Sequence, residues 1–133
     1  MRTAALAAGL AKTRRPIKAA LLDQRVVAGI GNIYADEALH AAGIHPLAPA
    51  NELSSEQVER LAKAIKRVLR RAIEAGGSTL RDYVNGRGER GSFQTRHKVY
   101  DRAGQPCRGC RAEIVRIVLG GRSTCFCPAC QPR

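Results

Sequence analysis

The chain has 133 residues, 23 Lys plus Arg against 11 Asp plus Glu, a formal net charge of +12, and five cysteines. That length holds one domain or two small ones with a modest core, which excludes a large enzyme pocket, and the basic excess points to a polyanion as partner. No apolar run approaches a bilayer span, and the opening Met1-Arg2-Thr3-Ala4-Ala5-Leu6 soon meets Lys12, Arg14, Arg15 and Pro16, so neither membrane anchor nor signal peptide is expected.

Residues 4–11 predict a short Ala- and Leu-rich helix, ended by the basic link Lys12-Thr13-Arg14-Arg15. Pro16 opens the next element at a favoured first-turn position. Across 17–28, Ile17, Ala20, Leu21, Val27 and Ala28 recur at helical spacing and predict a helix with one buried face. In Gly29-Ile30-Gly31-Asn32 the glycines permit a tight turn, and Asn32 is a good N-cap for a helix over 33–42. Glycines also let a phosphate approach the free N–H groups and positive dipole end of that helix, with the Asn32 side-chain amide donating to the same oxygen. On this tetrapeptide alone, an ordinary inter-helix turn is the better reading.

Gly43-Ile44-His45-Pro46 stops the helix, and residues 47–53 read as a loop. Ser54 with Gln57 forms a capping box that opens a long helix to residue 75, closed by Gly76-Gly77. Its inner stripe is Val58, Leu61, Ile65, Val68, Leu69 and Ala72. Its outer face shows Arg60, Lys63, Lys66, Arg67, Arg70 and Arg71, which suits a phosphate track and a solvated surface about equally. Ser78-Thr79 caps a short helix over 80–84. The glycine-rich stretch Asn85-Gly86-Arg87-Gly88-Glu89-Arg90-Gly91 is then either a loop that folds over a ligand or a linker between a helical part, 1–90, and a final part, 91–133. His40, His45 and His97 lack a partner spacing for metal and read as capping, surface or phosphate-contacting residues.

The final part is organised by Cys107, Cys110, Cys127 and Cys130, two Cys-x-x-Cys pairs with sixteen residues between their inner members. That pattern predicts one structural zinc ion on four thiolates, in preference to disulfides or unrelated pairs. The intervening chain is long enough to run out over 113–119, reverse at Gly120-Gly121 and return over 122–126, a β-hairpin with Arg122 at its tip. Cys125 lacks the two-residue spacing to Cys130 and reads as a hairpin residue open to oxidation. An odd cysteine count beside a zinc pattern suits a reducing cytoplasm. The fold class expected is mainly α with a small β-hairpin zinc finger.

Three stretches in fixed order resemble the C-terminal half of formamidopyrimidine-DNA glycosylase, the bacterial base-excision enzyme for oxidised purines. They are the run from Asp23 through Gly29-Ile30-Gly31-Asn32 to Leu39, then Gly43-Ile44-His45-Pro46, then Gly120-Gly121-Arg122-Ser123-Thr124 inside the cysteine frame. The resemblance implies a helix-two-turns-helix module beside a zinc hairpin, gripping lesion-containing double-stranded DNA around an everted nucleotide. It implies that Asn32, with Gly29 and Gly31, and Arg122 hold phosphates flanking the lesion. By position, it places a lesion-capping loop at Arg87, Gly88 and Gly91.

In that family the nucleophile is an N-terminal proline amine followed by a glutamate. This chain opens Met1-Arg2-Thr3, and the nitrogen of Pro16 is an amide. The expectation is therefore a monomeric, cytoplasmic, DNA- and zinc-binding polypeptide that does not turn over alone and whose partner includes the N-terminal catalytic half. The competing readings are a free-standing nucleic-acid-binding module, a zinc ribbon of the kind appended to a tRNA synthetase, and a dithiol redox switch.

Overall fold

The structure is a computed structural model, and it describes residues 3–23, 31–74 and 97–133. Its elements are α1 (Thr3–Leu10), α2 (Ile17–Leu22), α3 (Asn32–Ala42), a 3-10 turn (Ala50–Glu52), α4 (Ser55–Glu74) and the strands β1 (Val115–Leu119) and β2 (Arg122–Phe126). The expected class, mainly α with one small hairpin, is what is found. The expected helix over 80–84 and Gly29, Arg87, Gly88 and Gly91 lie outside the described residues.

Helix α4 follows its sequence pattern closely. Ser54 and Gln57 form the reciprocal capping box, the Ser54 N–H donating to Gln57 Oε1 (2.8 Å) and the Gln57 N–H to Ser54 Oγ (3.1 Å). Val58, Leu61, Ile65 and Val68 are buried, whereas Arg60, Lys63, Lys66, Arg67, Arg70 and Arg71 are exposed. The buried stripe meets α1 through Leu6 and Leu10 and α3 through Ala38 and Leu39, giving one apolar cluster that also takes in Ile17 and Leu21 of α2.

Two boundaries differ from expectation. Helix α2 ends at Leu22, where Asp23 turns extended (φ −76°, ψ 113°), and residues 24–28 of the expected helix lie outside the described residues. Helix α3 starts at Asn32 itself, with Gly31, which has no side chain to cap with, in the N-cap position, while the Asn32 side-chain N–H turns to the Ser123 carbonyl. The C-terminus of α3 behaves as the sequence implies. Gly43 is left-handed (φ 71°), and the N–H groups of Gly43 and Ile44 satisfy the His40 and Leu39 carbonyls (3.1 and 3.0 Å).

The hairpin is antiparallel, with Leu119 opposite Arg122 and Val115 opposite Phe126. Its two-residue turn, Gly120 (φ 59°) and Gly121 (φ 78°), needs positive φ at both positions, which glycine alone supplies without strain. Arg122 therefore stands exposed at the first position of β2.

Candidate nucleic-acid interface and zinc centre

The four Sγ atoms of Cys107, Cys110, Cys127 and Cys130 lie within 4.8 Å of one another. Cys107 and Cys130 are 3.8 Å apart and Cys110 and Cys127 3.3 Å, against about 3.8 Å for a tetrahedron with Zn–S bonds of about 2.3 Å. Each pair forms a knuckle whose backbone N–H points at sulfur, Gly109 to Cys107 and Cys130 to Cys127, both 3.4 Å. Burial raises the Cys107 thiol, yet hydrogen bonds from the Cys110 and Gly109 N–H groups and from His40 outweigh it and bring the thiol down to about 5. Burial and neighbouring thiols push Cys127 and Cys130 up. Sulfurs this close resist ionising together until a divalent cation replaces their protons, so the donor set fits one structural zinc ion. Cys125 is not part of this set. It is buried in β2, and its N–H donates to Asp36 Oδ2 (3.1 Å).

The finger is seated on the helices by polar contacts that sequence reasoning does not foresee. Lys18 of α2, fully buried, reaches β2: its Nζ donates to the Ser123 carbonyl (2.9 Å) and to Thr124 Oγ1 (2.7 Å) and is 2.8 Å from Asp36 Oδ1. Burial pulls the Lys18 ammonium below its ordinary value against the opposing charge of Asp36, and pushes the Asp36 carboxyl up to about 6 against the pull of Lys18. One turn earlier on α3, Asn32 Nδ2 donates to the same Ser123 carbonyl (3.1 Å). Three residues from two helices thus grip the backbone immediately after Arg122.

Two further clamps hold the finger to α3. Glu37 accepts the N–H groups of Lys98, Val99 and Tyr100 (2.7, 2.9 and 2.9 Å), fixing the segment that leads into the finger. Gln131 accepts the Cys127 N–H (2.8 Å) and donates to the Ile44 carbonyl (3.0 Å), seating the second knuckle on the turn after α3. The histidines sort differently from one another. His45 accepts the Leu47 N–H (3.0 Å) and lies against Phe126, which matches a capping role. His40, read as a capping or surface residue, instead meets Cys107, Nε2 to Sγ 3.6 Å.

Of the expected DNA-contacting residues, the structure brings Asn32 and Arg122 to one edge, joined through Ser123. Gly31 is exposed beside them, and a Cβ built on it meets nothing within 4 Å among the described residues. A basic concavity of about 370 Å³ lies beside the zinc knuckle, where Arg67 and Arg71 of α4 converge with Lys98 and Arg108.

Residues 1–84 match the family described as "Formamidopyrimidine-DNA glycosylase H2TH domain", and residues 104–133 match "Zinc finger found in FPG and IleRS". The chain belongs to the formamidopyrimidine-DNA glycosylase family. It is 58% identical over 123 residues to formamidopyrimidine-DNA glycosylase of Shouchella clausii, covering 92% of this chain and 45% of that protein. Its fold superposes on the MutM (Fpg) protein of Thermus thermophilus with a TM-score of 0.89 at 49% identity, covering 98% of this chain and 50% of that one. It superposes on Lactococcus lactis Fpg, in a complex with DNA containing an abasic site, with a TM-score of 0.88 at 39% identity, covering 99% and 48%. The chain thus spans about half the length of the relatives it matches. No helix among the described residues is long and apolar enough to cross a membrane.

Proposed function

We propose that this chain binds lesion-containing duplex DNA as the helix-two-turns-helix and zinc-finger portion of a glycosylase and abasic-site lyase for oxidised purines. Its two functional parts, residues 1–90 and 91–133, act as one grip. Asn32 and Arg122 hold backbone phosphates on either side of the lesion. The observation that carries this reading is the shared Ser123 carbonyl, which ties the α3 amide to the residue beside the Arg122 guanidinium. Of the two hydrogens on Asn32 Nδ2, one goes to Ser123, leaving the second for a phosphate oxygen. The Arg122 guanidinium offers phosphate a planar fork, and a turn fixed by two glycines sets where the fork points.

Gly31 supports the same reading. At φ −103° its backbone suits any residue and nothing among the described residues fills its Cβ position, so the space is of use to an approaching phosphate. Everting a base costs a few kcal/mol, and pinning the strand at two points opposes restacking. Gly29 completes the turn, and Arg87, Gly88 and Gly91 form the cap over the extruded base; both assignments rest on the resemblance of sequence. Zinc here holds the fingertip in place and takes no part in bond breaking. Glycosidic cleavage takes an amine nucleophile and a carboxylate, and neither role falls to the residues of this grip. The proposed setting is the cytoplasm of a bacterium, at the nucleoid, and the active form is a monomer.

The test is a gel shift of the purified polypeptide with an abasic-analogue duplex, an undamaged duplex and tRNA as competitor, each with and without chelator. Preference for the abasic-analogue duplex, lost on chelation, is expected. Equal affinity for all three nucleic acids overturns the reading, and preference for tRNA favours the synthetase-type zinc ribbon.

A further inference from the structure

We propose that His40 is the outer-shell hydrogen-bond donor to the Cys107 thiolate, tying the zinc centre to helix α3. The inference rests on the zinc site alone and does not depend on DNA binding. Its Nε2 stands 3.6 Å from Cys107 Sγ, inside the range of an N–H···S hydrogen bond, and Cys107 is 1% exposed, so water does not compete for that sulfur. His40 is not itself a ligand, because the atoms gathered within 4.8 Å are the four Sγ atoms.

The tautomer follows from the other side of the ring. His40 Nδ1 is buried and has no hydrogen-bond partner among the described residues. A proton there would be a buried donor facing nothing, whereas an unused lone pair is less costly, so the proton belongs on Nε2, aimed at sulfur. Four thiolates around one divalent ion carry a net charge of about −2, and donors to sulfur draw that charge off and fix the ligand's orientation. Cys107 then receives two such donors, the Gly109 N–H at 3.4 Å from its own knuckle and the His40 ring from α3. The second has a structural consequence. His40 follows Asp36 by four residues, on the same face of α3, so one row of side chains runs from Asn32 through Asp36 to the metal shell.

The test compares His40→Met with His40→Gln in the zinc-loaded protein. The two side chains are alike in length and differ in the N–H that glutamine retains. The readouts are zinc transfer to a chromogenic chelator and the sulfur-to-metal charge-transfer band after cobalt substitution. His40→Met is expected to lose zinc about 10–100-fold more readily, with the cobalt band moved to lower energy, and His40→Gln to remain near the parent protein. Zinc retention by His40→Met equal to the parent overturns the proposal. So does equal loss from both variants, including failure of both to fold, because that assigns His40 a packing role.

Discussion

The helical region buries a contiguous apolar cluster reaching from Leu6 to Val68, whereas the cluster inside the finger is Val99, Cys107, Ile114, Cys125 and Cys127, three of them cysteines. The first region has the burial to hold its own shape. The second has a buried apolar cluster of five residues and a two-stranded sheet, too little to be stable unaided, so metal and contacts to α3 must supply the rest. The fingertip is accordingly positioned from outside its own fold. Its rigidity is borrowed from Lys18, Asn32, Asp36, Glu37 and the Ile44 carbonyl.

Metal removal should break this contrast most visibly. Structural zinc in small fingers is worth on the order of 10 kcal/mol or more, so chelation, or Cys127→Ser, should collapse amide dispersion for residues 97–133 in NMR spectra while the helical circular dichroism persists. Loss of both signals in one transition would show that the helices depend on the finger as well. Next comes Asp36→Ala, which leaves the buried Cys125 N–H without its acceptor and takes from Lys18 one of its three oxygen partners. A buried donor stripped of its acceptor costs about 1–3 kcal/mol, and two are affected, to be read as a lowered urea midpoint at saturating zinc. An unchanged midpoint would remove the pair from its role as clamp.

The same carboxyl predicts a pH effect. Asp36 is raised from 3.8 to about 6, so the folded state binds its proton more tightly than the unfolded state between those values. Its contribution to stability is full below about pH 4 and is lost as pH rises to about 6. Urea unfolding between about pH 4 and 6 should show this slope in the parent protein and not in Asp36→Asn. The smallest effect is sought in binding: Arg122→Ala should weaken affinity for an abasic-analogue duplex by about 1–3 kcal/mol with zinc content unchanged. Undiminished affinity would take Arg122 out of the interface.

What is legible in the sequence is local. The α4 stripe, the Ser54–Gln57 box, the Gly120-Gly121 reversal and the cysteine frame each express themselves within a few residues or in a ligand spacing. The contacts that seat the finger span 61 to 106 residues, and no periodicity announces them. Lys18, Asp36 and Glu37 are also polar, so by type they read as surface. One signal does exist: every residue from Ile33 to Leu39 is buried, and the run is apolar but for Asp36 and Glu37. A helix without a solvent face must pair its acids internally. Asn32 reads from sequence as a capping amide, and only the proximity of Ser123 redirects it.

Gly43 ends α3 with a backbone that other residues adopt only under strain, and a Cβ there would stand 3.3 Å from the carbonyl oxygen of Cys130. One hydrogen atom in place of a methyl group is therefore the common vertebra of two otherwise separate skeletons. A substitution at this position would injure the helix stop and the metal knuckle together, although the residue neither binds zinc nor belongs to the finger.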